Sequence, residues 1–234
     1  MSAKRGKKDK GPSWLEVGLG AVLSIILGVA LGVVFLVLKP VSKVTAIPKD
    51  APAGAVYYIE GARDFNKTTE VDEIRKSFLA GGSVSITEGE LNVILGDATS
   101  PPAPAADAAA PAAAAAKPPP GPQKLFAPGP LNARIHDGKI QFADTATISA
   151  LGVDVSVIVQ ATGTFSKHGS TFAFDPESFY VGGCPMQRLL FVKDWALAKL
   201  LFAQPVPDDL AAAWSKLVDV SVDSTGLQLK GPQG

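Results

Sequence analysis

The chain has 234 residues, 47% of them hydrophobic, with 22 basic side chains balancing 22 acidic ones. That length suits one ordinary hydrophobic core. Beyond the first ten residues 17 basic and 21 acidic side chains remain, so the bulk of the chain is acidic and lacks the basic excess that a nucleic-acid partner requires.

Residues 1–13 form a basic tail in which Lys4, Arg5, Lys7, Lys8 and Lys10 face only Asp9. Residues 14–38 follow as an expected transmembrane helix. Its uncharged stretch, Val17 to Leu38, is 22 residues long and contains nothing more polar than Ser24. A helix of that length spans about 33 Å, enough for the ~30 Å hydrocarbon core of a bilayer. The basic flank predicts a cytoplasmic N-terminus with everything after Lys39 outside. Secretory signals have apolar cores of about 7 to 15 residues and a small-residue cleavage site. The exit Leu36-Val37-Leu38-Lys39-Pro40 has no such pair, so an uncleaved signal-anchor in a bacterial cytoplasmic membrane is expected. Gly20, Ser24, Gly28 and Gly32 recur every fourth residue. They stack on one face where a second backbone can approach, which points to a homodimer through this helix.

Residues 41–98 and 131–234 read as two parts of one extracytoplasmic α+β domain, interrupted by an Ala/Pro-rich loop over 99–130, expected to be disordered or polyproline-like because proline keeps it out of helix and sheet. In the first part Val71, Ile74 and Phe78 have helical spacing, and Gly81-Gly82 ends that helix. Ser83 to Ile86 alternates as a strand. Thr87-Glu88-Gly89-Glu90 has the pattern of a capping box, and Leu91, Ile94 and Leu95 give the next helix a buried face up to Gly96.

In the second part the period becomes two. Leu131 to His136 and Lys139 to Phe142 alternate around Asp137-Gly138, a hairpin signature. Val153, Val155, Val157 and Val159 share one side of a longer strand, with Asp154, Ser156 and Gln160 on the other. The strand extends through Phe165, turns at Gly169 and returns over Thr171 to Phe174. Gly182-Gly183-Cys184-Pro185 is expected to break the sheet, with an apolar helix over Met186 to Phe202. A shorter helix capped by Asp208 is expected to run to Leu217, followed by a final hairpin from Val218 to Leu229.

Chemistry-bearing motifs are missing from this sequence. It holds no nucleophile elbow, phosphate loop or dinucleotide fingerprint. His136 and His168 are isolated, so no metal site is expected, and no cofactor is implied. A single cysteine, Cys184, leaves no internal disulfide. Glu88 and Glu90 are the one close carboxylate pair at a helix start, and a cap accounts for Glu90. No catalytic residue is assigned, and a non-enzymatic role is expected.

The run Ser83 to Leu95, reading Ser-Val-Ser-Ile-Thr-Glu-Gly-Glu-Leu-Asn-Val-Ile-Leu, resembles a strand and capped helix of the YpmS-like single-pass extracytoplasmic proteins. These are similar to the TULIP lipid-binding superfamily. Asp137-Gly138-Lys139-Ile140, the valine strand and Phe179-Tyr180-Val181-Gly182 before Pro185 also resemble that pattern. The resemblance implies a long, curved antiparallel sheet packed with helices, and membrane lipid or another hydrophobic ligand as the partner. Leu189, Phe191, Trp195, Leu200 and Phe202 cannot all point one way on a helix; they belong either to an ordinary core helix covered by the sheet and the Asp208 helix or, as the resemblance implies, to the lining of an apolar groove. The alternative is a structural or interaction module that recruits protein partners of a bacterial envelope assembly. A cavity would favour the first reading, and a filled core with an exposed apolar patch the second.

Overall fold

The structure, a computed structural model, describes residues 13–52, 54–64, 68–99, 126–150, 153–189, 193–202 and 206–233. Most of the basic tail and of the Ala/Pro-rich stretch lie outside them, as does Phe191. The fold is α+β: an N-terminal apolar helix followed by antiparallel sheets. Helix α1 (Trp14–Leu38) buries none of its residues and is long and apolar enough to cross a membrane. Ser13 and Glu16 begin it with a capping box: the Glu16 N–H donates to Ser13 Oγ at 3.2 Å, and the Ser13 N–H to the Glu16 carboxylate at 2.8 Å. Two amides left open at a helix start are thereby satisfied.

Only Lys39-Pro40-Val41 separates α1 from the two-residue strand β1 (Ser42–Lys43), which pairs in parallel with β2 (Tyr57–Tyr58). Helix α2 (Thr68–Leu79) leads to β3 (Val84–Ile86) and α3 (Glu88–Thr99). The capping box before α3 forms as its spacing dictates, with the Thr87 N–H donating to Glu90 at 2.8 Å and the Glu90 N–H to Thr87 Oγ1 at 3.5 Å. Gly96 does not end α3, which runs on to Thr99.

The large sheet contains β4 (Phe126–Ala127), β5 (Asn132–His136), β6 (Lys139–Ala150), β7 (Val153–His168), β8 (Thr171–Val181) and β9 (Cys184–Pro185), with β4 and β5 both pairing with β6. The loop expected over 99–130 therefore ends before Phe126, whose strand joins the sheet opposite Ile148. Asp137 and Gly138 adopt φ of 53° and 69°, the left-handed pair that a tight hairpin needs. The glycine turn after β8 does not break the sheet. It folds back so that Val181 pairs with Cys184 and Tyr180 with Pro185. Between Thr162 and Gly163 the β7–β8 register slips, leaving Glu177 unpaired beside Pro176. A proline in a sheet is tolerated at such a bulge, and Gly163 lies so close to the Asp175 carbonyl that a side chain there would overlap it.

The expected helix over Met186 to Phe202 is not continuous. A 3-10 turn, Met186–Arg188, ends at Leu189 with φ −100° and ψ 76°. Helix α4 (Lys193–Ala196) continues as a π-helical turn over Leu197–Leu201. Gln187 contributes to the interruption, because its side chain accepts the Phe179 N–H at 3.1 Å instead of pointing outward. Helix α5 (Asp208–Trp214) begins after Pro207, so Asp208 is its first residue and not its cap. Strands β10 (Asp219–Val222) and β11 (Leu227–Lys230) form the last hairpin, and β11 also pairs with β3.

Buried apolar residues from both parts of the chain make one connected core, from Phe78, Ile86 and Leu91 to Phe179, Leu201, Leu217 and Leu229. Register places Ile140, Phe142, Ala146, Val157, Val159, Ala161 and Phe179 on one face of the large sheet. Gln141, Gln160, Thr162 and Ser178 take the other. Gln160 is buried there, since its amide receives Gln141 at 2.7 Å and donates to the Tyr57 carbonyl at 3.2 Å.

Candidate functional site

The expected groove residues fall on the segment that covers the apolar sheet face. Ala196 and Leu201 point inward at 0% and 5% exposure, while Trp195 is 61% exposed and Phe202 38%. The Phe202 ring is not free, however. It packs edge-on against Phe142 and Phe174 at centroid distances of 5.4 and 5.9 Å. Phe142 meets Phe174 at 5.2 Å, Phe174 meets Phe165 at 5.8 Å, and Phe165 meets Trp214 at 5.5 Å. The Trp214 indole donates to the Phe172 carbonyl at 2.8 Å, which gives a half-buried indole its polar partner. Leu189, Leu197 and Leu200 are half-buried against the same core. Of the expected set, therefore, Trp195 points outward, Leu189, Leu200 and Phe202 contact the core, and Phe191 lies outside the described residues.

Two concavities lined by described residues lie elsewhere. One gathers Lys43, Thr45, Tyr58 and Glu60, and the other the polar strand surface of Ser85, Ser221 and Gln228. In the first, the Lys43 ammonium stands 5.5 Å from the Tyr58 ring centroid and 3.5 Å from Glu60. Burial, and then the Glu60 carboxylate, push the Tyr58 phenol up to about 12. It stays protonated at neutral pH and donates to Asn132 at 3.2 Å.

The Glu88 carboxylate serves backbone amides: one oxygen accepts the Ala62 N–H and the other the Ile135 N–H, both at 2.7 Å. One helical turn later, Asn92 bonds both backbone groups of Ala133 at 2.6 Å and donates to the Ala62 carbonyl at 2.8 Å. Asn132 completes the set, accepting the Gly61 N–H at 2.8 Å and donating to the Gly61 carbonyl at 3.2 Å. Side chains four residues apart on α3 thus close the open edge of β5 and fasten residues 61–62 beside it. Sequence reasoning did not assign Glu88 and Asn92 this role. Their i, i+4 spacing beside a predicted strand was the available signal.

Among the described residues no group of three or more His, Cys, Asp or Glu side chains is arranged to hold a metal. Asp144 lies on the apolar sheet face opposite Val159. It accepts the Gly129 N–H at 2.8 Å, and burial raises its carboxyl to about 6. On α1 the glycines of the small-residue face have open space around them. At about 100° per residue, Gly20, Ser24, Gly28 and Gly32 centre about 180° away from Val33 and Val37, the two α1 residues packed against the domain core. Comparison of the chain with protein-family models, curated proteins and solved structures finds no match.

Proposed function

We propose that this chain is a membrane-anchored, non-catalytic module, its domain outside a bacterial cytoplasmic membrane, that docks an apolar surface of an envelope protein through the face bearing Trp195. The observation that carries this reading is a large aromatic side chain held 61% exposed on a segment whose neighbours Ala196 and Leu201 are buried. Indole burial is worth several times what a polar surface residue gains, so an outward tryptophan suits a partner better than water.

A second reading keeps the hydrophobic ligand. The half-buried Leu189 and Leu200 beside Trp195 and Phe202 offer apolar surface along which an acyl chain could lie. The curved sheet implied by the TULIP-like resemblance would bend at the Thr162/Gly163 bulge. The face of α1 opposite the domain leaves Gly20, Ser24, Gly28 and Gly32 for a second copy.

A photoreactive amino acid in place of Trp195, activated in living cells, separates the two readings. A discrete protein adduct supports docking, whereas a lipid adduct together with lipid co-purifying in solvent extracts supports the ligand. Absence of any adduct above that of a control at exposed Gly169 contradicts both.

A further inference from the structure

The end of α1 is built into the domain. The Gly183 N–H donates to the Leu36 carbonyl at 2.9 Å, satisfying one of the acceptors that a helix leaves open at its C-terminus. Gly182, at φ 58°, sits so close to the Val37 carbonyl that any side chain would overlap it, and its own N–H donates to the Ile158 carbonyl at 2.8 Å. Val33 and Val37 pack against the core. Within six residues of the helix end the chain is also fixed just after β1, where the Val44 N–H donates to the Tyr58 carbonyl at 3.0 Å.

We infer that the β8–β9 turn is a membrane-contact element that seats the domain at the outer boundary between lipid headgroups and hydrocarbon in one fixed orientation. This inference rests on the anchor reading. Lys39 marks the level at which the apolar span meets lipid headgroups. Leu36 lies three residues, about 4.5 Å, below that level along the helix, and Val33 about 9 Å below it. Whatever touches Leu36, Val37 and Val33 shares their depth. The sequence of the turn suits that depth, since Ser178 to Gln187 carries no charge and the next residue is Arg188. A domain hung on a loose linker would need none of these contacts.

The test uses the full chain in phosphatidylcholine nanodiscs with Cys184→Ser as background. A Cβ built on Gly183 stands 3.2 Å from that of Lys39, close to the ~3.5–4.5 Å of a disulfide. Lys39→Cys with Gly183→Cys should therefore cross-link within the chain under copper-phenanthroline. The expected yield is at least tenfold that of Lys39→Cys with Ser170→Cys, read as loss of thiols available to maleimide. Independently, a fluorophore on Gly183→Cys alone should be quenched by a headgroup-attached nitroxide lipid, and one on Ser170→Cys should not. Equal cross-linking of the two pairs, or no quenching at position 183, overturns the inference. Retention of the chain in membranes after alkaline washing reports the anchor separately. A retained chain without the cross-link removes the seating alone, while a chain washed free removes the anchor and the seating with it.

Discussion

At the edge of β5, Glu88 and Asn92 reach from α3 to named backbone atoms of Ala62, Ala133 and Ile135. On the apolar face, Leu201 and Phe202 cover the sheet by contact, ring against ring with Phe142 and Phe174. The polar edge fixes register, because a shift of one residue would leave the buried amide and carbonyl of Ala133 without their Asn92 partners. The apolar cover tolerates irregularity, and it is there that the helix breaks, turns π-helical and holds Trp195 outward. A surface for a partner fits the second region far better than the first.

Breaking the polar edge should have the largest effect. Asn92 is fully buried, and Asn92→Ala strands the buried amide and carbonyl of Ala133. A loss of about 3–5 kcal/mol is expected in denaturant unfolding of the full chain in detergent. Phe202→Ala should cost less, about 2 kcal/mol by the same measurement, because the ring is already partly exposed and gives up edge-to-face contacts with two rings.

Asp144 sharpens the contrast, being a carboxylate on the apolar face. Its folded pKa, about 6, stands above the usual carboxylate value, so the folded state binds more protons between about pH 4 and pH 6. Stability is then highest below that window and falls as pH rises through it. Asp144→Asn keeps an acceptor for the Gly129 N–H and should abolish this slope, gaining on the order of 2 kcal/mol relative to the unsubstituted chain from pH 4 to pH 7. Parallel pH profiles of the two proteins would count against it.

Much of the fold was legible because it rests on local rules. Asp137-Gly138 dictates its hairpin, Thr87 and Glu90 their capping box, and Val157 and Val159 of β7 a buried face. Ser13 and Glu16 follow the same rule as Thr87 and Glu90, a signal present in the sequence but not used. What could not be read depends on partners distant in sequence. The pairing of β3 with β11 joins residues on either side of the Ala/Pro-rich stretch. The return of Cys184-Pro185 onto β8, and the docking of Leu36 on Gly183, have no periodic signature. The apolar run from Met186 to Phe202 suggested one helix, yet composition is silent about where Gln187 places its side chain. The same limit applied to the site: five large apolar residues implied a shared lining, while Trp195 and Phe202 were separated by tertiary contacts that no local pattern encodes.

The central claim is that Trp195 is held outward and contributes little to the fold. The most direct measurement is the unfolding free energy of Trp195→Ser, taken in the full chain beside that of Asn92→Ala. A change within about 0.5 kcal/mol is expected at Trp195, as for an exposed side chain away from structural features. A loss above about 2 kcal/mol would make Trp195 part of the core and contradict the account.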